Sequence, residues 1–75
     1  MEWMTTLNKS IDYMERHLLD NITVEDVAKY VAVSSFYYQK GFKILTGYSV
    51  SEYLRNRRLY LAGLDLAKEN AKTKL

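Results

Sequence analysis

Apolar residues recur at Trp3, Leu7, Ile11, Met14 and Leu18, with spacings of four, four, three and four. That pattern is one face of an amphipathic helix. Asp20-Asn21 suit a turn better than a helix interior, so the first helix is expected to end near them. "TVED" follows, in which Thr23 can accept from free backbone amides while Asp26 reaches back to the chain before it. This is the capping-box arrangement of a helix start, and the acidic pair Glu25-Asp26 suits the positive end of the helix dipole. Val24, Val27, Ala28 and Val31 give the second helix an inward stripe that stops by about Val33. Ser34 is the next N-cap, opening a third helix that runs to Thr46-Gly47, where glycine suits a left-handed helix end. "SVSE" repeats the capping box with Ser49 and Glu52, and a long fourth helix is expected from about Val50 to Asn70, with a frayed tail over 70–75.

The third helix carries the informative pattern. At about 100° per residue, Tyr38, Phe42 and Leu45 fall within roughly 60° of one another and form its core stripe. Phe36, Lys40 and Lys43 cluster on the opposite side, with Gln39 at their edge and Tyr37 on the boundary. A phenylalanine among lysines and a glutamine is an odd solvent face. It is a good major-groove face, because lysine serves phosphate or guanine, glutamine serves adenine, and an apolar group meets the thymine methyl. The bland alternative is that Phe36 covers the turn and the lysines are merely solvated. Gly41 interrupts this helix, at a cost of roughly 1 kcal/mol relative to alanine. Either another helix approaches closely there or the helix is weakened.

In the fourth helix "RNRR" places Arg55, Arg57 and Arg58 within about one turn, pointing in different directions. One or two could reach phosphates, and one is expected to pair with an acid of the first or second helix. Tyr53, Leu54, Leu59, Leu61, Ala62, Leu64 and Leu66 spread over more than one face, which suggests packing on two partners.

Composition narrows the reading further. Seventy-five residues make one small domain, and the absence of proline with only three glycines favours an all-α fold. The expected architecture is a small helix-turn-helix bundle of about four helices, the last one long, over a single domain 1–75. With no cysteine there is no disulfide or thiolate chemistry, and the lone His17 lacks a second histidine or a cysteine to share a metal. Glu25 and Asp26 face different ways on a helix, and no phosphate loop or nucleophile motif occurs, so the expectation is no enzyme and no cofactor. No apolar run spans a membrane and no signal pattern follows Met1, which makes an intracellular setting the default. Charge is uneven: residues 1–34 carry three Lys/Arg against six Asp/Glu, and residues 35–75 carry eight against three. A polyanion would be drawn to the second half.

The stretch "ITVEDVAKYVAVSSFYYQKGFKILTGYSVSEYLRNRRLYLA" resembles the DNA-binding domain of AraC/XylS-type transcriptional regulators. The likeness rests on Val27-Ala28, Ser34, Tyr38, Lys40, Phe42-Lys43, Thr46-Gly47, Ser49, Tyr53, Arg58 and Ala62 in one register, and covers about residues 7–70. It implies two helix-turn-helix units joined by a long helix, each placing a helix in the major groove. This chain resembles the first unit and the joining helix, half of that reader, and its opening resembles members with an N-terminal reader domain. The resemblance implies that Phe36, Gln39 and Lys40 face bases or the groove and that Lys43 lies near the backbone. Lys40 stands where arginine is usual, Gly41 where a bulky apolar residue is usual, and Val50 where proline is common.

The expectation is therefore a DNA-binding module of an AraC-type regulator, with a recognition helix about 35–46 in the major groove of double-stranded DNA. Ser35, Phe36, Gln39, Lys40, Lys43 and Arg55 are the candidate DNA-binding residues. The setting would be cytoplasmic and, by inference, nucleoid-associated, with any effector ligand bound by a region outside these residues. The rival is a helical protein-interaction or dimerisation module with no DNA role. In it, Phe36 and the outer apolar face of the fourth helix bind a partner or a second copy, and a homodimer through that helix is possible.

Overall fold

The computed structural model describes residues 2–73, with side chains as far as Gly63. It is an all-α helix-turn-helix bundle of four helices: α1 (Trp3–Arg16), α2 (Val24–Tyr30), α3 (Ser35–Thr46) and α4 (Val50–Thr73). Each start has its own cap. Glu2 accepts from the amides of Met4 and Thr5, both at 2.8 Å, and so opens α1. At α2, Thr23 Oγ1 accepts from the Asp26 amide at 3.3 Å, and Asp26 Oδ2 accepts from the Thr23 amide at 2.9 Å. Ser34 Oγ accepts from the Tyr37 amide at 3.2 Å to open α3. The Ser49–Glu52 box opens α4, with bonds of 3.0 and 3.1 Å. Both capping boxes read in the sequence are thus present.

The turns follow from the helix ends. After α2, the Val33 amide donates to Ala28 O at 3.0 Å and the Ala32 amide to Lys29 O at 3.1 Å. These are the two bonds of a Schellman ending, which puts its C′ residue in the left-handed region. Here that residue is an alanine, Ala32 at φ 59°, a position usually taken by glycine. After α3 the left-handed residue is Gly47 at φ 82°, as expected, and its amide donates to Lys43 O at 2.9 Å. Thr46 steadies this second turn, donating to Phe42 O at 2.8 Å and accepting from the Tyr48 amide at 3.1 Å.

The core joins all four helices through Leu7, Met14, Leu18, Val27, Ala28, Tyr38, Phe42, Val50 and Leu54. Burying each large apolar side chain is worth about 1.5–3 kcal/mol. Phe42 meets Tyr53 edge-on, with ring centroids 5.8 Å apart, and lies 5.9 Å from Tyr38. Leu45 departs from the predicted stripe: it is 45% exposed. At Leu45, one residue before the end of α3, the inward side of the helix is left partly open. On α1, Thr6 and Ser10 are buried beside the apolar series, and Ser10 Oγ donates to Leu7 O at 2.7 Å. α1 ends at Arg16, earlier than Asp20-Asn21, and residues 17–19 form a turn.

Two arginines pin α4 to α1. Arg57 grips Glu15, with Nη2–Oε1 at 2.8 Å and Nε–Oε1 at 3.1 Å, which is the acid pairing expected of one member of the cluster. Arg58 donates to the backbone oxygens of Leu18 at 2.8 Å and Asp20 at 3.2 Å, satisfying carbonyls beyond the end of α1. Val50, at the first position of α4, is buried, while Leu59 is 59% exposed. The backbone is helical to Thr73, three residues past the predicted end. Leu64 and Leu66 lie outside the residues whose side chains are described. The side chains of the expected frayed tail over 70–75 lie outside them too, and Lys74 and Leu75 are outside the described residues altogether.

Candidate nucleic-acid interface

α3 is divided by its own sequence. Tyr38 and Phe42 are completely buried, and Phe36, on the opposite side, is 76% exposed. A buried stripe of this kind fixes the rotation of the helix, so the face carrying Phe36 is held outward. Phe36, Gln39, Lys40 and Lys43 line one shallow depression together with Ser49. Gln39 also lines a second, adjoining depression with Arg55, Arg58, Ser51 and Thr23. Four of the six predicted site residues therefore share one surface, and Gln39 links it to Arg55.

The side chains differ in freedom. Lys40 is exposed and makes no hydrogen bond or ion pair among the described residues. Lys43 reaches forward to the C-terminal end of its helix, donating to Gly47 O at 3.2 Å with Glu52 at 3.8 Å. Ser35, half-buried in the first turn, accepts from Gln39 Nε2 at 3.0 Å, which sets the amide of Gln39 before any ligand arrives. Of the three arginines of α4, Arg55 alone makes no hydrogen bond or ion pair among the described residues and is exposed. The interface thus presents one free lysine, one free arginine, a preset amide and an exposed ring. Glu52, on whose carboxylate the capping bonds with Ser49 and the nearby Lys43 act, is held below its ordinary pKa and stays charged at the edge of this surface.

Sequence reasoning missed three contributors. Ser51 and Thr23 line the arginine side of the surface, and Trp3 lies over Gly41 on the flank of α3. The last resolves the question raised by that glycine: α1 approaches closely. The signal was present in the coincidence of a large ring opening the α1 series with a missing side chain on α3. Beneath the surface, the Tyr38 hydroxyl is sealed in with no well-formed hydrogen bond. Burial pushes its pKa up to about 12, against a smaller opposing effect of nearby Ser10. The group is therefore an uncharged core residue at neutral pH.

A short helix, a tight turn and a second helix with an exposed polar and aromatic face define a helix-turn-helix module of the DNA-binding regulator class. Residues 14–55 match the family described as bacterial regulatory helix-turn-helix proteins, AraC family, and the chain belongs to that family. It is 34% identical over 56 residues to the regulatory protein SoxS of Salmonella typhimurium, covering 75% of this chain and 52% of SoxS. It is 31% identical over 70 residues to the transcriptional activator Btr of Bacillus subtilis, covering 93% of this chain and 13% of Btr. The Tn10 protein TetD of Escherichia coli is 33% identical over 66 residues, 87% of this chain and 48% of TetD. The chain thus spans about half or less of the length of these relatives. No solved structure matches it. The family is one of transcription regulators and not an enzyme class, and it does not favour a pure interaction module. Among the described residues no helix is long and apolar enough to cross a membrane.

Proposed function

We propose that this module reads duplex DNA by seating α3 in the major groove, within a cytoplasmic, nucleoid-associated regulator. Phe36, Gln39 and Lys40 face the base edges, while Ser35, Lys43 and Arg55 meet the sugar-phosphate backbone. One observation carries the reading: the exposed face of α3 gathers Phe36, Gln39, Lys40 and Lys43 on a single surface. A groove about 12 Å wide admits a helix of about 10–12 Å with its side chains.

The chemistry sets the character of binding. The two cations on phosphates, Lys43 and Arg55, correspond to a salt slope of roughly −1.8, so a fourfold rise in salt lowers the binding constant about 12-fold. Lys40 is a point charge without the arginine fork, which makes its discrimination of guanine weak. Gln39 and Phe36 then carry more of the sequence preference. Selection from a random duplex library, followed by affinity measurements across salt, tests the proposal. It expects an enriched motif a few base pairs long and that slope. Absence of both enrichment and low-salt binding contradicts it.

The exposed Leu59 on the outer side of α4 supports one accompanying proposal, self-association of two chains along that helix. Sedimentation across concentration tests it: a monomer throughout rules it out.

A further inference from the structure

Trp3 occupies the first turn of α1, outside the residues that match the family at 14–55. Its place is fixed by Glu2, which caps that turn and also accepts from the Thr5 hydroxyl at 2.6 Å. From there the indole stacks on Tyr37 of α3, with ring centroids 5.6 Å apart and planes 22° from parallel. The same ring lies over Gly41. A Cβ added at Gly41 would stand 2.7 Å from Trp3 Cζ2 and Cζ3, far inside van der Waals contact. Trp3, Tyr37, Lys40, Gly41 and Ile44 share one small apolar depression, so the indole reaches the turn of α3 that carries the free lysine.

A glycine in a helix interior loosens the helix, because its backbone has the most freedom to lose on folding. Gly41 sits in the turn between the buried Tyr38 and Phe42 and the outward Lys40, where loosening would let the reading face wander. We infer that Trp3 is a positioning residue for α3: from α1 it fills the space that a side chain at position 41 would hold, and so sets the aim of Lys40. The functional half of this inference rests on the DNA reading above, and the structural half does not. Tyr38 and Phe42 hold the inner face of α3, and Trp3 with Tyr37 holds the flank. The module therefore replaces a side chain internal to the helix with a ring delivered from another helix.

The test uses the 75-residue chain as wild type, Trp3→Ala, Trp3→Phe and Gly41→Ala. Amide hydrogen exchange of the free proteins is compared with binding to a duplex selected by the wild type and to a random duplex. Trp3→Ala is expected to speed exchange over Lys40–Ile44 about three- to tenfold, the factor that one lost aromatic pair allows, while α2 changes little. Affinity for the selected duplex falls by a similar factor and that for the random duplex by much less. Trp3→Phe restores most of both. Gly41→Ala displaces the indole, and emission from this sole tryptophan shifts to the red while the fold is kept. Unchanged exchange in α3 overturns the inference. So does an equal rise in all four helices, which would make Trp3 a general stabiliser, or unchanged emission in Gly41→Ala. Localised exchange with no duplex bound by the wild type would instead sink the DNA reading while supporting the positioning of α3 by Trp3.

Discussion

The turn between α2 and α3 gives a sharp stability prediction. Ala32 ends the Schellman motif at φ 59°, the one non-glycine positive φ among the described residues. For an L-residue the left-handed region costs about 1–2 kcal/mol, because Cβ crowds the following carbonyl. Glycine avoids that cost but loses about 0.5–1 kcal/mol more than alanine in backbone freedom on folding. The balance predicts that Ala32→Gly stabilises the domain by about 0.5–1 kcal/mol, since the Ala32 side chain is exposed and the motif's two bonds, at 3.1 and 3.0 Å, are main-chain only. For a domain of this size the corresponding rise in Tm is about 2–8 °C. Thermal and urea unfolding followed by far-UV circular dichroism measures it, and the urea m-value should not change. Ala32→Val is the matched control and should lose stability, because a β-branched residue tolerates the left-handed region least. A lower or unchanged midpoint for Ala32→Gly would show that this turn is not strained at position 32.

Further expectations concern the core and the surface. Phe42→Ala should cost about 3–5 kcal/mol, comparable to the whole stability of a domain this small, and leave the chain largely unfolded at 25 °C by circular dichroism. Lys40→Glu should keep the helical spectrum and abolish duplex binding in fluorescence anisotropy while leaving any self-association through α4 intact; retained affinity would remove Lys40 from the interface. Burial raises the folded-state pKa of Tyr38 from about 10 to about 12, so the folded state holds this proton more tightly than the unfolded chain. Its stabilising contribution is complete below the unfolded pKa, near 10, and is lost as pH rises towards 12. Urea midpoints across that window should therefore fall in the wild type and fall less in Tyr38→Phe.

The legible parts of the fold were those written in local chemistry. Thr23 with Asp26, Ser34, Gly47, and Ser49 with Glu52 mark helix ends by side chains that bond their own backbone, and all of them act as read. The inward pair Tyr38 and Phe42 was legible from helical spacing. Leu45 was not, because periodicity states which face a residue shares but not how far the covering helices extend. Ala32 carries no sign of its left-handed backbone, since alanine is a strong helix former and the conformation is imposed by the turn. Glu2 was missed as a cap because glutamate is an uncommon one, and Trp3 against Gly41 is a contact between residues 38 positions apart. In the site, residue type and face were readable for Phe36, Gln39 and Lys40. Arg55 was the one arginine expected at the interface; what leaves it free was not readable, because that depends on Glu15 taking Arg57 and the carbonyls of Leu18 and Asp20 taking Arg58.

The central claim is that α3 reads DNA through its outward face. An NMR titration of isotope-labelled protein with a random-sequence duplex at low salt addresses it most directly, because weak binding is still seen amide by amide. The account predicts shifts concentrated at residues 34–43 and at the start of α4 near Arg55, fading as salt is added. If no amide in that region moves, and only α4 broadens as protein concentration rises, the exposed face of α3 does not bind DNA and the module associates with itself instead.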